Sequence, residues 1–181
     1  NQEFYDTVEA ALMATSKQDL AQTEIRSILL LRGRFFFQDE LYSAVEALGL
    51  ECHCIDYEEL SVDALARLVE QVIAKERPSL LLTVGFKGCD GEGEVLRVAA
   101  RYGVTVAVWF VDDPRPNCLA YKEHINGNLQ AFCWEKSYLP WLESWDFGAV
   151  HYLPLAACSS VFGKAVPDGA PLELSFTGSA M

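Results

Sequence analysis

The chain is poor in histidine, methionine and positive charge, and it lacks any apolar run of membrane-spanning length. Among 181 residues there are 3 His, 2 Met and 14 Lys plus Arg against 26 Asp plus Glu, a formal charge of −12. A field of that sign repels phosphate backbones and anionic lipid, and no basic stripe offsets it locally, so nucleic acid and membrane surfaces are not the expected partners. No uninterrupted apolar run approaches the roughly eighteen residues of a membrane span, and the N-terminus lacks the basic-then-apolar layout of a signal peptide. A cytoplasmic chain is the expectation. No internal repeat or low-complexity segment is present. No Ser-His-Asp or Cys-His signature appears, and His124 and His151 stand isolated.

What is present suits a well-packed domain: 51% of residues are hydrophobic and 12% aromatic, enough to bury a sizeable core. The 6 cysteines are even in number, yet most sit in or beside apolar strand-like runs, which favours buried thiols over a disulfide framework. Cys52 and Cys54 share one face of a strand and His53 the other. Metal ligation by that triplet needs further ligands at short spacing, and the sequence shows none.

The order of elements is a strand-helix alternation. Phe4, Val8, Ala11 and Leu12 predict an amphipathic N-terminal helix within residues 1–24. Strands are expected at Ser27 to Leu31, Leu50 to Ile55, Leu80 to Val84, Val104 to Val111, Leu129 to Cys133, Ala149 to Leu153 and Leu172 to Phe176. Helices are expected from about Gln38 to Leu48, over Ser61 to Glu76, around Val95 to Tyr102, and as a short helix capped by Ser137. Strands apolar on both faces, alternating with helices, imply a Rossmann-like three-layer α/β/α domain with a mostly parallel sheet and right-handed crossovers. Residues 25–171 form that domain in this reading, and 172–181 a strand leading onward.

In such a sheet ligands bind beyond the carboxyl ends of the strands. The loops there carry Gly33 and Arg34, then Gly85 and Lys87 in a glycine-rich stretch ending at Gly93, then Asp112, Asp113 and Arg115, then Trp134 and Glu135, then Pro154. Gly33 serves a site or only a tight turn. Arg34 is one of few cations placed to meet an anion. The Gly85 to Gly93 stretch has the composition of a phosphate cradle, but lacks the Lys-Ser/Thr ending of a P-loop and follows the third strand, which favours a flexible surface loop. Asp112 and Asp113 fit acceptor binding, a general base or a metal ligand; the other reading is an Asp-Pro turn. A receiver domain is excluded, because its acidic positions hold Arg32-Gly33-Arg34 and Thr83-Val84-Gly85.

Four segments then carry a resemblance. Trp109-Phe110-Val111-Asp112-Asp113-Pro114 resembles the W-x-V-D-D-P segment of the CgeB-like, spore-maturation-protein-like family related to group-one glycosyltransferases. Tyr152-Leu153-Pro154-Leu155-Ala156-Ala157 with Val161-Phe162 is similar to its Y-L-P-x-A-A…F segment, and Leu174 to Ser179 to its S-F-x-G-S strand. Ala131-Phe132 through Ser137-Tyr138-Leu139-Pro140 sits where that family has a strand and a tyrosine-containing helix start. The matches run in order from about Val104 to Ser179.

The resemblance implies half of a GT-B fold: the N-terminal, acceptor-side domain of a nucleotide-sugar-dependent glycosyltransferase. The donor-binding domain would follow at the S-F-x-G-S strand, so the fragment is expected to be inactive alone. It also implies metal-independent transfer, with no cofactor in this part and a nucleotide-sugar donor for the whole. Asp112 or Asp113 would orient or deprotonate the acceptor, and Arg34, Lys87 or Arg115 would contact acceptor or diphosphate. The competing expectation is a non-catalytic ligand- or partner-binding module, to which Phe132, Trp134, Tyr138, Trp141 and Trp145 lend an aromatic patch if they are exposed.

Overall fold

A computed structural model of the chain describes residues 25–34 and 38–156. The expected N-terminal helix, the strand at Leu172 to Phe176 and the domain limits built on them lie outside the described residues.

Six strands form one sheet: β1 (Ser27–Arg32), β2 (Glu51–Asp56), β3 (Leu80–Val84), β4 (Thr105–Phe110), β5 (Leu129–Cys133) and β6 (Ala149–Tyr152). Their order is β2-β1-β3-β4-β5-β6, and every pairing is parallel. The architecture is therefore the Rossmann-like α/β class expected. Strand β1 is central because its side chains suit no other place: Leu29, Leu30 and Leu31 are all fully buried, as strands covered on both faces require. Register sets Leu29 beside His53 on one flank and Leu81 on the other.

The helices are α1 (Gln38–Ala47), α2 (Val62–Glu76), α3 (Glu94–Arg101), α4 (Pro114–Ala120) and the one-turn α5 (Leu139–Leu142). Alternation along the strands sends Leu29, Leu31, Leu81, Val106, Val108, Phe110, Leu129 and Ala131 into one core. There they meet Leu65, Val69 and Ile73 of α2, Val95 and Ala99 of α3, Cys118 of α4 and Leu142 of α5. Each such aliphatic side chain taken fully out of water contributes about 1.5–3 kcal/mol before entropy is counted. Helix α1 packs on β1 and β2 and buries Val45 outside that core. The crossover from β1 to β2 and that from β2 to β3 therefore use opposite faces, which puts the topological switch point at the carboxyl ends of β1 and β3.

Local chemistry explains the helix limits. Ser61 caps α2 by accepting from the Ala64 amide at 3.3 Å. Arg77 ends that helix with φ of 50°, its N–H bonded to Ile73, and Pro78 bars continuation. Helix α4 was not expected from the sequence, because Pro114 and Pro116 read as breakers. Both stand in its first turn, where backbone N–H groups have no helical acceptor and the proline ring costs nothing. The short helix near Ser137 is a 3-10 turn at Lys136–Tyr138 leading into α5, and its cap is Glu135 rather than Ser137.

The described cysteines, Cys52, Cys54, Cys89, Cys118 and Cys133, are free. Cys118 and Cys133 are fully buried, and burial pushes the Cys118 thiol up to about 12. Cys52 and Cys54 lie side by side, Sγ to Sγ 3.7 Å. The aromatic patch is not a free surface: Trp134, Tyr138, Trp141 and Trp145 pack against the core, and Phe132 stacks on His151 with ring centroids 4.8 Å apart.

Candidate functional site

A cleft of about 740 Å³ lies at the carboxyl ends of β1 and β2, lined by Arg32, Gly33 and Arg34, by Gln38 and Asp39 at the start of α1, and by Asp56, Glu58, Glu59 and Leu60 at and after the end of β2. Parallel pairing builds it, since strands in register deliver their following loops to one edge. Arg32 meets Asp56 through two hydrogen bonds, at 2.7 and 3.1 Å. The same pairing holds the Asp56 carboxyl below its usual range and raises the Arg32 guanidinium further. Arg34 donates its backbone N–H to Glu58 and its guanidinium to Glu59, both at 2.6 Å. Two guanidinium groups thus face four carboxylates, a net negative lining that disfavours a free phosphate and favours a neutral or cationic polar ligand.

Gly33 and Arg34 are the sequence-predicted residues found in this cleft. Gly33 sits where chains crowd: a Cβ there would lie 2.4 Å from the Tyr57 hydroxyl. Arg34 is taken up by acidic neighbours rather than open to an anion, although its side chain is 79% exposed and such surface pairs are weak. The loop after β2, with Glu58 and Glu59, was absent from the sequence-based site; only the pairing of β2 with β1 brings it there. Gln38 was also missed. Its side chain is 2% exposed, and neither its amide nitrogen nor its oxygen has a partner. A buried amide left so costs about 1–3 kcal/mol per group, and it can present a donor and an acceptor together to a ligand hydroxyl.

The Gly85 to Gly93 stretch is packed and internally hydrogen-bonded rather than open. Asp90 is 5% exposed, and its carboxylate accepts from the Glu94 and Val95 amides at 2.8 and 2.9 Å, the amides an incoming phosphate would need. Phe86 stacks on Tyr121, centroids 4.4 Å apart, while the Tyr121 hydroxyl donates to the Cys89 carbonyl at 2.7 Å. Gly85 and Gly88 adopt φ of 55° and 80°, where a side chain is strained. The Gly85 amide bonds the Trp109 carbonyl, and the Thr83 hydroxyl bonds the Lys87 carbonyl.

Beyond β4 the two aspartates part company. Asp113 is the N-cap of α4, accepting from the Arg115 amide at 3.0 Å, and both its oxygens take the Arg115 guanidinium. The Arg115 hydrogen bonds hold its carboxyl below the usual range, which makes it a poor proton acceptor. Arg115 in turn lies over the Tyr138 ring, 5.4 Å from its centroid. Asp112 is exposed, and nothing among the described residues engages its carboxylate.

Past β5, Glu135 accepts from the Ser137 amide at 2.9 Å, and the Trp134 indole N–H is buried without a partner. Pro154 is half-buried. It follows Leu153, whose amide bonds Cys133 and whose carbonyl accepts from the Trp109 indole. These residues share the strands' carboxyl edge with the cleft but do not line it.

Fold and cleft together define a doubly wound, Rossmann-like α/β domain with an acidic crevice at the carboxyl ends of β1 and β2, one strand over from the topological switch point. Compared with known proteins, the chain matches no family model and no curated protein sequence. Among the described residues no helix is long and apolar enough to cross a membrane.

Proposed function

We propose that this chain is the acceptor-side domain of a cytoplasmic, nucleotide-sugar-dependent glycosyltransferase. The observation that carries the reading is the acidic cleft at the carboxyl ends of β1 and β2, on the same sheet edge as the unengaged Asp112. The ordered resemblance from Trp109 to Ser179 supports it. A lining of carboxylates and one unpaired amide suits a neutral polyhydroxylated acceptor, which offers donors to the acids and both functions to Gln38. In the reaction the acceptor oxygen attacks the anomeric carbon, and the bond to the nucleotide diphosphate breaks. The hydroxyl proton passes to Asp112, or to the departing diphosphate if configuration is retained. A second domain of the parent chain supplies the donor site, so Gly33, Arg34 and Gln38 act here as acceptor-holding residues.

The test uses the parent protein with its donor domain, a panel of nucleotide sugars, and mass detection of the product. Asp112→Asn is expected to lower turnover about a hundredfold with unchanged folding. Wild-type turnover by that variant removes Asp112 from the chemistry. Failure of the intact protein to consume any nucleotide sugar removes the enzyme reading and leaves a non-catalytic binding module. The mutual capture of Asp113 and Arg115 is the geometry that favours that second reading.

A further inference from the structure

A second cluster of chemistry-bearing groups lies toward the opposite end of the sheet, away from the cleft. Glu51 and His53 are two apart on β2 and so share a face, and Glu76 is the last residue of α2, which lies over it. One ligand atom from each of the three falls within 4.8 Å of the others. The His53 Nε2 is buried and lacks a hydrogen-bond partner; the nearest counter-group is Glu51 Oε1 at 3.6 Å, too far for a hydrogen bond. We propose that Glu51, His53 and Glu76 bind one divalent transition-metal ion, of which zinc is the best fit.

The donor set makes the selection. One imidazole nitrogen and two carboxylates suit Zn, Mn, Fe or Co, whereas Mg and Ca favour all-oxygen shells. Two of the three groups stand on regular elements, and the third is the residue that closes a helix. Their backbones are therefore fixed before any ion arrives. Atoms bound to one zinc at about 2.0–2.2 Å lie roughly 3–4 Å apart, so modest rotation of the glutamates closes the shell. Glu51, whose side chain is 69% exposed, is free to make that move. Glu76 meets the Lys75 ammonium at 2.5 Å; Lys75 is 81% exposed and can swing aside or keep the second carboxylate oxygen. The carbonyl end of α2 adds a partial negative charge at the same point. A cation here satisfies the orphan imidazole nitrogen and ties the edge strand β2 to α2. The role is structural and independent of the proposed transferase activity.

The experiment titrates zinc chloride calorimetrically into the metal-stripped, full 181-residue chain. Glu51→Gln, His53→Gln, Glu76→Gln and the pair Cys52→Ser with Cys54→Ser are run beside it. The expected result is one zinc per chain, bound at least about tenfold more weakly by each of the three ligand variants and unchanged by the cysteine pair, whose side chains lie on the other face of β2. Zinc is also expected to raise the melting temperature of the wild type more than that of any ligand variant. Absence of saturable binding overturns the proposal. So does binding indifferent to all three ligand substitutions, or binding lost with the cysteines. Should His53→Gln fail to fold, the exposed Glu51→Gln variant still decides.

Discussion

Asp112 and Asp113 are neighbours with opposite fates, and a carboxyl-to-alanine pair separates them. Asp113→Ala removes the N-cap of α4 and is expected to cost about 1 kcal/mol, read as a lower urea midpoint, whereas Asp112→Ala is expected to leave that midpoint where it was. That two acids end β4 was legible in the sequence. Which one stays open was not, because Arg115, two positions on, decides it by folding back on Asp113. His151 gives the second residue-level expectation. Burial lowers its pKa from 6.5, so the unfolded chain takes up the proton before the folded one does. Stability is therefore full above about pH 6.5 and falls as pH drops toward the folded value. Denaturation at about pH 7.5 and about pH 5.5 is expected to show that loss in the wild type. It should be smaller in His151→Phe, which keeps an aromatic ring against Phe132.

At the scale of elements, strands and long helices were readable because period-two and period-3.6 patterns survive any tertiary context. The misread pieces are those whose local signals have two meanings. Two prolines stop a helix in its middle but are harmless in its first turn, and so α4 was hidden. Glycines at Gly85, Gly88 and Gly93 mark a phosphate loop or a tightly packed turn, and only the buried Asp90 tells which. Asp90→Ala leaves two α3 amides unpaired in a buried setting and is expected to cost about 2 kcal/mol, measured by chemical denaturation. Gly148 offers a second test. A Cβ there would stand 2.2 Å from the Gly127 carbonyl oxygen, a backbone atom that cannot swing away. Gly148→Ala is expected to destabilise by more than about 1 kcal/mol.

For the molecule as a whole, the cleft is a product of topology. Arg34 and Glu58 are 24 positions apart and meet because β1 and β2 lie in register, a fact that neither loop carries in its own composition. That is why Gly33 and Arg34 were found from the sequence while Glu58, Glu59 and Gln38 were not. The layering also ranks the strands: β1, β3, β4 and β5 are flanked on both sides, whereas among the described residues β2 and β6 have one neighbour each. Hydrogen exchange is expected to be slowest in the four inner strands and fastest in β6, and an inverted ranking would contradict the sheet order. The interior thiols carry a last consequence. Cys118 sits on the buried face of α4 and Cys133 at the tip of β5, both sealed from solvent and both held in the unreactive, protonated form. An alkylating reagent can reach them only when the layers part, so their modification rate is a clock for the opening of this domain, already wired into the chain and needing no added label.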